Sequence, residues 1–214
     1  MSYRSGARRH IVGNEDGRPM NVALRLPHRM TVAEFQDWLP PAGQRDWRWE
    51  LVDGEPVCMA PPSRAHGAIQ NEVGRLIGNH LAVYRPGCSV VTTPGVIPRV
   101  RSETNERMPD LGVTCSPPEL GERAITDPVL LIEILSPSNE AKTRANVWAY
   151  TTIPSVTEVL LLSSTEIRAE LLRRNADGGW PATPARIGRD DMLHLASIGY
   201  EVWLRDFYRT TSLA

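Results

Sequence analysis

The sequence predicts a mixed α/β fold, and three observations carry that prediction. From residue 63 to residue 162 the pattern runs helix, three strands, helix and strand. Residues 129–135 read VLLIEIL, an apolar run typical of a central strand that is buried on both faces. The chain has 214 residues, of which 41% are hydrophobic and 23% charged, so it is able to bury one core and is not wholly disordered.

The chain length predicts a single domain with extensions. Residues 1–29 carry six arginines and little periodicity, so we expect a basic, flexible N-terminal arm followed by one domain over residues 30–214. The arm either grips phosphate without sequence preference or is a solvated tail without a role. A formal charge of −1 argues against a broad basic surface for nucleic acid and leaves room for a local groove.

The composition also bears on the compartment. No apolar run approaches the ~20 residues that cross a bilayer, and no apolar stretch follows the N-terminal arginines, so we expect neither a membrane protein nor a secretory signal. Cys58, Cys88 and Cys115 are widely spaced and form no CxxC pair, which predicts neither a disulfide framework nor a zinc site. These features predict a protein of the reducing cytoplasm.

Local signals define the N-terminal elements. Thr31 and Glu34 have the spacing of a capping box and predict a short helix over residues 32–39. Residues 47–59 predict two strands around Asp53-Gly54, because both residues of that turn accept a positive φ.

The longest helix is expected to begin at Ser63 and to end before Pro86-Gly87. Its buried stripe, with apolar spacings of three and four, comprises Ile69, Val73, Leu76, Ile77, His80 and Tyr84. The elements that follow are predicted as strands over 89–97, 111–115 and 129–135, a helix over about 139–151, a strand over 158–162, and an edge hairpin that begins with 167–173 and turns at 177–179.

Glu133 lies in the middle of the predicted central strand. An ionised carboxylate without a partner is costly to bury, so its surroundings must supply a proton, a partner or a cation. The period of two puts Glu133 on one face with Leu131 and Leu135. The alternative to a functional acid is a buried Glu–Arg pair, since arginines are abundant in this chain.

Asp110 favours a functional interpretation. It follows Pro109 at the start of the predicted strand 111–115, and we expect this strand to lie beside that of Glu133. Two carboxylates at one site repel each other, and a hard divalent cation relieves the repulsion. Mg²⁺ is the expected ion, with Mn²⁺ as a substitute, and the backbone carbonyl of Ile134 is a further candidate ligand.

Six segments, taken in order, resemble one known family. They are MTVAEFQDWL, WELVDGEPV, MAPPSRAHGAI, MPDLGV, LIEILSPSNEAKTRANVWAY and IPSVTEVLLL. Together they resemble the Uma-two family of "putative restriction endonucleases", in the PD-(D/E)XK nuclease superfamily, from about residue 30 to the C-terminus. The resemblance implies an α/β (α+β) fold with a restriction-endonuclease-like core: a mixed central sheet flanked by helices, with an added N-terminal helix and hairpin. It also implies metal-dependent phosphodiester hydrolysis and a homodimer.

By position, the resemblance assigns Asp110 to the aspartate of the PD motif and Glu133 to the acid of the (D/E)XK motif. The lysine of that motif would fall at Leu135 and is absent. The family pattern instead has a lysine in the following helix, four residues before a tyrosine. In this chain that position is Asn146, four residues before Tyr150, so the sequence departs from the pattern there as well.

Lys142 is the remaining candidate and the one lysine among 24 basic residues. With Asn146 and Tyr150 it forms a series spaced by four, so the three side chains are predicted to share a helix face. A flexible ammonium near Glu133 is able to orient the attacking water or to stabilise charge on the phosphorus. The alternative is a solvent-exposed helix charge. Arg144 is a fallback, and a poor general base because it stays protonated.

Two upstream residues also match the family's motifs. Glu50, in WELVDGE, lies on the same hairpin face as Arg48 and Val52 and is a candidate third carboxylate of the metal site, the alternative being a surface ion pair. His66, near the start of the longest helix, is a candidate proton shuttle or phosphate contact. Its alternative is a core histidine hydrogen-bonded to the backbone.

These features predict a Mg²⁺-dependent endonuclease that acts on nucleic acid, with DNA as the first choice. Asp110 and Glu133 hold the ion with help from Glu50. Lys142 orients the water or neutralises developing charge. The missing lysines at Leu135 and Asn146 support an alternative, a nuclease-fold protein that binds nucleic acid or a protein partner without turnover. A structural or toxin-associated protein with a vestigial pocket is a third possibility.

Overall fold

The computed structural model describes residues 28–39, 48–137 and 139–214. Residues 1–27 of the predicted arm lie outside these ranges, and the division into arm and domain stays a prediction. The helices are α1 (Val32–Trp38), α2 (Arg64–Tyr84), α3 (Glu140–Tyr150) and a 3-10 helix (Leu204–Tyr208). The strands are β1 (Arg48–Val52), β2 (Glu55–Met59), β3 (Ser89–Thr92), β4 (Leu111–Thr114), β5 (Pro128–Leu135), β6 (Glu158–Ser163), β7 (Arg168–Arg173), β8 (Ala185–Gly188), β9 (Met192–Leu195) and β10 (Tyr200–Trp203).

A mixed six-stranded sheet in the order β3-β4-β5-β6-β7-β8 forms the centre of the fold. Strands β5 and β6 run parallel, and the other neighbouring pairs run antiparallel. A parallel pair needs a crossover, which α3 provides. β5 is apolar because both of its faces are covered: Ile132 packs in the cluster that contains α2, and Leu131 packs with Val147 and Tyr150 of α3. The predicted mixed fold and buried central strand are confirmed.

The N-terminal helix and hairpin form a separate small cluster beside the sheet. The predicted capping box is present, since the Thr31 hydroxyl accepts from the Glu34 amide and the Glu34 carboxylate accepts from the Thr31 amide. The turn between β1 and β2 uses positive φ at Asp53 (50°) and Gly54 (82°), as predicted. The apolar residues of this cluster are Met30, Phe35, Leu39, Trp49, Leu51 and Cys58. Paired amide–carbonyl hydrogen bonds between Leu51 and Glu106 join the hairpin to the rest of the molecule.

Helix α2 begins after Ser63, whose hydroxyl accepts from the His66 amide. The predicted stripe is buried in its central part, at Ile69, Val73 and Ile77. Tyr84 was expected in this stripe, but its side chain is 73% exposed because it lies in the last turn, beyond the end of the sheet contact.

The structure also corrects the third predicted strand and adds a hairpin. The strand expected over residues 89–97 ends at Thr92, because Thr93 adopts a positive φ of 49° that interrupts the extended chain. The predicted edge hairpin is present as β7 and β8. The hairpin of β9 and β10 was not predicted, because each strand has only four residues.

A disulfide joins Cys88 to Cys115, which corrects the prediction that the cysteines form none. Strands β3 and β4 are antiparallel and pair Ser89 with Thr114, so the next pair outward is Cys88 opposite Cys115. Cys58 is free and buried. Within the described residues, no helix has both the length and the apolar character needed to cross a membrane.

Candidate active site

Asp110 and Glu133 face each other across β4 and β5. The register of these strands pairs Leu111 with Ile132, so the next residues, Asp110 and Glu133, continue the ladder as an opposed pair. Side chains of an opposed pair project to the same face, with Cβ atoms about 5 Å apart. Both residues are buried, at 3% and 5% exposure. The predicted convergence of the two acids is therefore confirmed.

Four neighbouring groups hold Asp110. The ring Nε2–H of His66 donates to its Oδ1 at 2.9 Å, and the backbone N–H of Ile134 donates to its Oδ2 at 2.8 Å. The amide of Gln70 donates to the Asp110 backbone carbonyl at 2.7 Å. The Nη1 atom of Arg48 lies 3.6 Å from Oδ1, a looser electrostatic contact. The Asp110 carboxylate is thus fixed in orientation by α2 and by the backbone of β5.

Glu133 is partnered by the phenol of Tyr150. The Tyr150 hydroxyl donates to its Oε1 at 2.7 Å. Burial, and after it the negative charge of Asp110, raises the pKa of Glu133 well above its usual range, while the hydrogen bond from Tyr150 opposes this rise. Burial and the charge of Glu133 likewise raise the pKa of Tyr150, so the phenol stays a donor. Among the residues that the structure describes, no arginine pairs with Glu133, so the alternative of a buried Glu–Arg pair is wrong for this part of the chain.

Glu50 connects the hairpin to α3. Its Oε2 lies 2.8 Å from the Nζ of Lys142, and its Oε1 accepts from the Asn146 side chain at 3.0 Å and from the Met108 backbone at 3.1 Å. Glu50 is fully buried, so the alternative of a surface ion pair is wrong, although an ion pair is present. The bond to Met108 brings the hairpin next to the chain segment that leads into Asp110.

One face of α3 closes the site, as the spacing by four predicted. Lys142 and Asn146 contact Glu50, and Tyr150 contacts Glu133. The alternative of a solvent-exposed charge is wrong for Lys142, whose side chain is 23% exposed and paired with a buried carboxylate. Arg144 points elsewhere and pairs with Glu140 and Glu170.

His66 is buried at 5% exposure and contacts a carboxylate, where the alternative interpretation expected a backbone partner. Because Asp110 accepts this hydrogen bond, the proton of the neutral ring resides on Nε2. A role as a proton shuttle or phosphate contact stays a prediction.

Two residues that touch the site, Arg48 and Gln70, had no predicted role. The period of two places Arg48 on the same hairpin face as Glu50. Its residue type, however, does not distinguish it from the 22 other arginines of the chain. Gln70 lies four residues after His66 on α2, so helical spacing was the available signal.

The carboxylates of Asp110 and Glu133 suit a hard cation that takes only a few of its ligands from the protein. In the described part of the chain, no group of three or more His, Cys, Asp and Glu side chains is arranged to hold a metal ion. Mg²⁺ is commonly held by one or two carboxylates and keeps its water ligands, so the pair Asp110 and Glu133 fits it chemically. Glu50 as a third ligand and the Ile134 carbonyl as a fourth stay predictions. Glu50 already accepts hydrogen bonds and faces an ammonium.

The mixed sheet, the crossover helix α3, and the acids Asp110 directly before β4 and Glu133 on β5 are consistent with a restriction-endonuclease-like fold of the PD-(D/E)XK type. The profile of the Uma2 family, described as "Putative restriction endonuclease", matches residues 32–205. The chain belongs to this family.

Two known proteins are similar to the chain. "Uncharacterized protein slr1290" of Synechocystis sp. (strain ATCC 27184 / PCC 6803 / Kazusa) is 31% identical over 183 residues, which cover 85% of this chain and 92% of that protein. The crystal structure of "a putative nuclease belonging to DUF820" from Anabaena variabilis ATCC 29413 has a TM-score of 0.65 and 18% identity, and the match covers 84% of this chain and 97% of that one. At this identity the second match supports the fold alone.

Proposed function

We propose that the protein is a Mg²⁺-dependent endonuclease that hydrolyses phosphodiester bonds in nucleic acid, with DNA as the first choice of substrate. The observation that carries the proposal is the opposed pair Asp110 and Glu133, buried beside the ammonium of Lys142. Carboxylates that repel each other at one site have a chemical reason to bind a divalent cation. The Uma2 family description supports the same activity. A homodimer belongs to the proposal as a further expectation. So does a cytoplasmic location, although the Cys88–Cys115 disulfide removes free thiols as an argument for it.

In this mechanism Asp110 and Glu133 would hold the ion, with Glu50 and the Ile134 carbonyl as candidate further ligands. A bound Mg²⁺ supplies Lewis acidity and neutralises charge on the phosphate. His66 and the Ile134 amide keep the Asp110 carboxylate oriented, and Tyr150 does the same for Glu133. Lys142 orients the attacking water or stabilises the charge that develops on the phosphoryl oxygens.

Substitution of either acid tests the proposal. We expect Asp110→Ala and Glu133→Ala to abolish cleavage of plasmid DNA in Mg²⁺, because each removes one of two carboxylates on which cation binding depends. The measurement is conversion of supercoiled plasmid, with RNA as a parallel substrate. Glu201→Gln, which removes an exposed carboxylate on β10, is the matched control and is expected to cleave as the parent does. Unchanged cleavage by either alanine variant would remove that residue from the mechanism.

A second candidate function is binding without turnover. It is favoured by Leu135, which occupies the lysine position of the (D/E)XK motif, and by Asn146, which occupies the lysine position of the family pattern. A protein of this kind would bind DNA with an affinity that falls with salt and would leave it intact in Mg²⁺ and in Mn²⁺. Isothermal calorimetry with Mn²⁺ then separates a metal-binding protein from one with a vestigial pocket, which would show no heat of binding.

A further inference from the structure

Two cations lie at the solvent side of the three buried acids. Arg48 is 25% exposed and Lys142 is 23% exposed at the side chain, whereas Asp110 is 5% exposed and Glu50 is fully buried. The Nζ atom of Lys142 forms an ion pair with Oε2 of Glu50 at 2.8 Å. Arg48 is held less closely by Asp110, because its Nη1 atom lies 3.6 Å from Oδ1, beyond hydrogen-bond distance.

The position of Arg48 is set by the hairpin. Arg48 and Glu50 are two residues apart on β1, so they project to the same face about 7 Å apart along the strand. Glu50 is pinned by Met108 and Asn146, which fixes the distance of β1 from the acids. Arg48 therefore lies beside Asp110 with a guanidinium that is partly exposed to solvent.

A guanidinium in this position suits a phosphate. Its planar fork donates to two oxygens of one phosphate at once, a geometry that an ammonium does not offer. The Asp110 oxygen near Arg48 already accepts a hydrogen bond from His66, so it does not depend on the arginine. When a cation neutralises Asp110, the attraction that holds Arg48 weakens and the guanidinium becomes available to an anionic substrate.

We propose that Arg48 is the phosphate-binding residue of this site, and that its guanidinium leaves Asp110 to donate to the non-bridging oxygens of the scissile phosphodiester. The proposal rests on the proposed nuclease function, since it requires a nucleic-acid backbone in the site. It assigns different work to the two cations: Arg48 binds the phosphate, and Lys142 acts beside Glu50.

The test compares Arg48→Met with the parent in DNA binding and in cleavage. Binding of a fluorescent 20-base-pair duplex is followed by anisotropy at several KCl concentrations in Ca²⁺, with gels to verify intact DNA. Loss of one phosphate contact lowers the slope of log affinity against log salt by about 0.9. Cleavage at saturating Mg²⁺ is expected to fall about tenfold or more. Arg186→Met, an exposed arginine on the edge strand β8, is the control and should leave the cleavage rate unchanged.

The outcomes separate this proposal from the function on which it rests. A parent that cleaves, with an Arg48→Met variant of unchanged salt slope and rate, overturns the role of Arg48 and leaves the nuclease assignment intact. A parent that neither binds nor cleaves DNA or RNA overturns both. If Arg48 serves only as a counter-charge of Asp110, the Arg48→Met variant should bind Mn²⁺ more tightly in calorimetry and should cleave at an unreduced rate at saturating Mg²⁺. That result also overturns the proposal.

If the Arg48→Met variant does not fold, Arg48→Lys tests the role of the guanidinium instead. It keeps a positive charge next to Asp110 and loses the two-pronged geometry. We expect an unchanged melting temperature, an unchanged salt slope and a rate at saturating Mg²⁺ reduced about fivefold or more. A rate equal to that of the parent would contradict the proposal.

Discussion

At the scale of single residues, Glu72 shows how a buried carboxylate outside the site is stabilised. It is 1% exposed, and Arg75 and Arg209 both donate to its two oxygens, which ties α2 to the chain after the 3-10 helix. The hydrogen bond from Arg75, with help from Arg209, lowers the pKa of Glu72 to about 2. Glu72 is thus neutralised by two arginines, whereas the partner of Glu133 in the candidate site is the neutral hydroxyl of Tyr150.

We expect Glu72 to make folding stability depend on pH in the acid range. Its folded pKa is below the ordinary value of 4.5, so its contribution is complete above about pH 4.5 and is lost as the pH falls toward 2. Glu72→Gln should lower stability at pH 7 by about 1–2 kcal/mol, because the arginine partners are partly solvated. The difference in Tm between variant and parent, measured by calorimetry, should shrink from pH 6 to pH 3. A constant difference would assign the effect to packing.

The two acids were within reach of sequence reasoning, and their supporting residues were not. Asp110 follows a proline before a strand, and Glu133 is a charge inside an apolar run, so each stands out locally. Gln70 and Arg48 have ordinary types and positions, and their contacts to Asp110 depend on how α2 and β1 pack. Local sequence shows which residue is unusual, whereas packing decides which ordinary residue lies beside it.

At the scale of elements, α3 connects the central sheet to the candidate site. Its residues Val147 and Tyr150 pack against β5, and its first turn presents Lys142 to Glu50. The lysine of the family pattern would arise one turn later, at Asn146, which also contacts Glu50. Both positions therefore direct a side chain to the same carboxylate, so a lysine at either position would place its ammonium near Glu50.

We expect Lys142→Ala to lower the rate of single-turnover DNA cleavage at saturating Mg²⁺ by about 10²–10³-fold, because a preorganised positive group near the phosphate is lost. The double variant Lys142→Ala with Asn146→Lys should recover part of that rate, since the new ammonium arises from the same helix face. Arg144→Gln, which removes an outward cation of α3, is the control. A parent-like rate in Lys142→Ala would exclude the lysine from the mechanism.

The helices and turns were predicted correctly where residues close together in the sequence determine the local structure. The capping box at Thr31 and the Asp53-Gly54 turn are such cases, because the residues concerned contact each other or set their own φ. The end of β3 at Thr92 and the exposure of Tyr84 depend on the reach of neighbouring elements. Apolar periodicity alone did not contain that information.

At the scale of the whole molecule, the Cys88–Cys115 disulfide joins the edge strand β3 to β4, which is the strand that follows Asp110. It closes a loop with a sequence separation of 27 residues, which includes the segment leading into the site. The prediction of free thiols failed because two distant cysteines become neighbours only through the pairing of their strands.

We expect the double substitution Cys88→Ser with Cys115→Ser to lower stability by about 3 kcal/mol, because the unfolded chain gains loop freedom. For a chain of this length the corresponding fall in Tm is about 6–12 °C. Differential scanning calorimetry of the variant, and of the parent with and without reductant, measures the effect. If reductant leaves the Tm of the parent unchanged, the bond contributes no net stability.

The hairpin of β1 and β2 supplies Glu50 and Arg48 from outside the central sheet, and its apolar residues pack mainly among themselves and with α1. The candidate site is thus assembled from two parts of one chain that have separate apolar clusters. A substitution inside the hairpin cluster is able to shift Arg48 and Glu50 relative to Asp110 and Glu133 without removing a residue from the core of the central sheet. Sequence change in the hairpin can therefore remodel the candidate site while the opposed pair of acids stays in place.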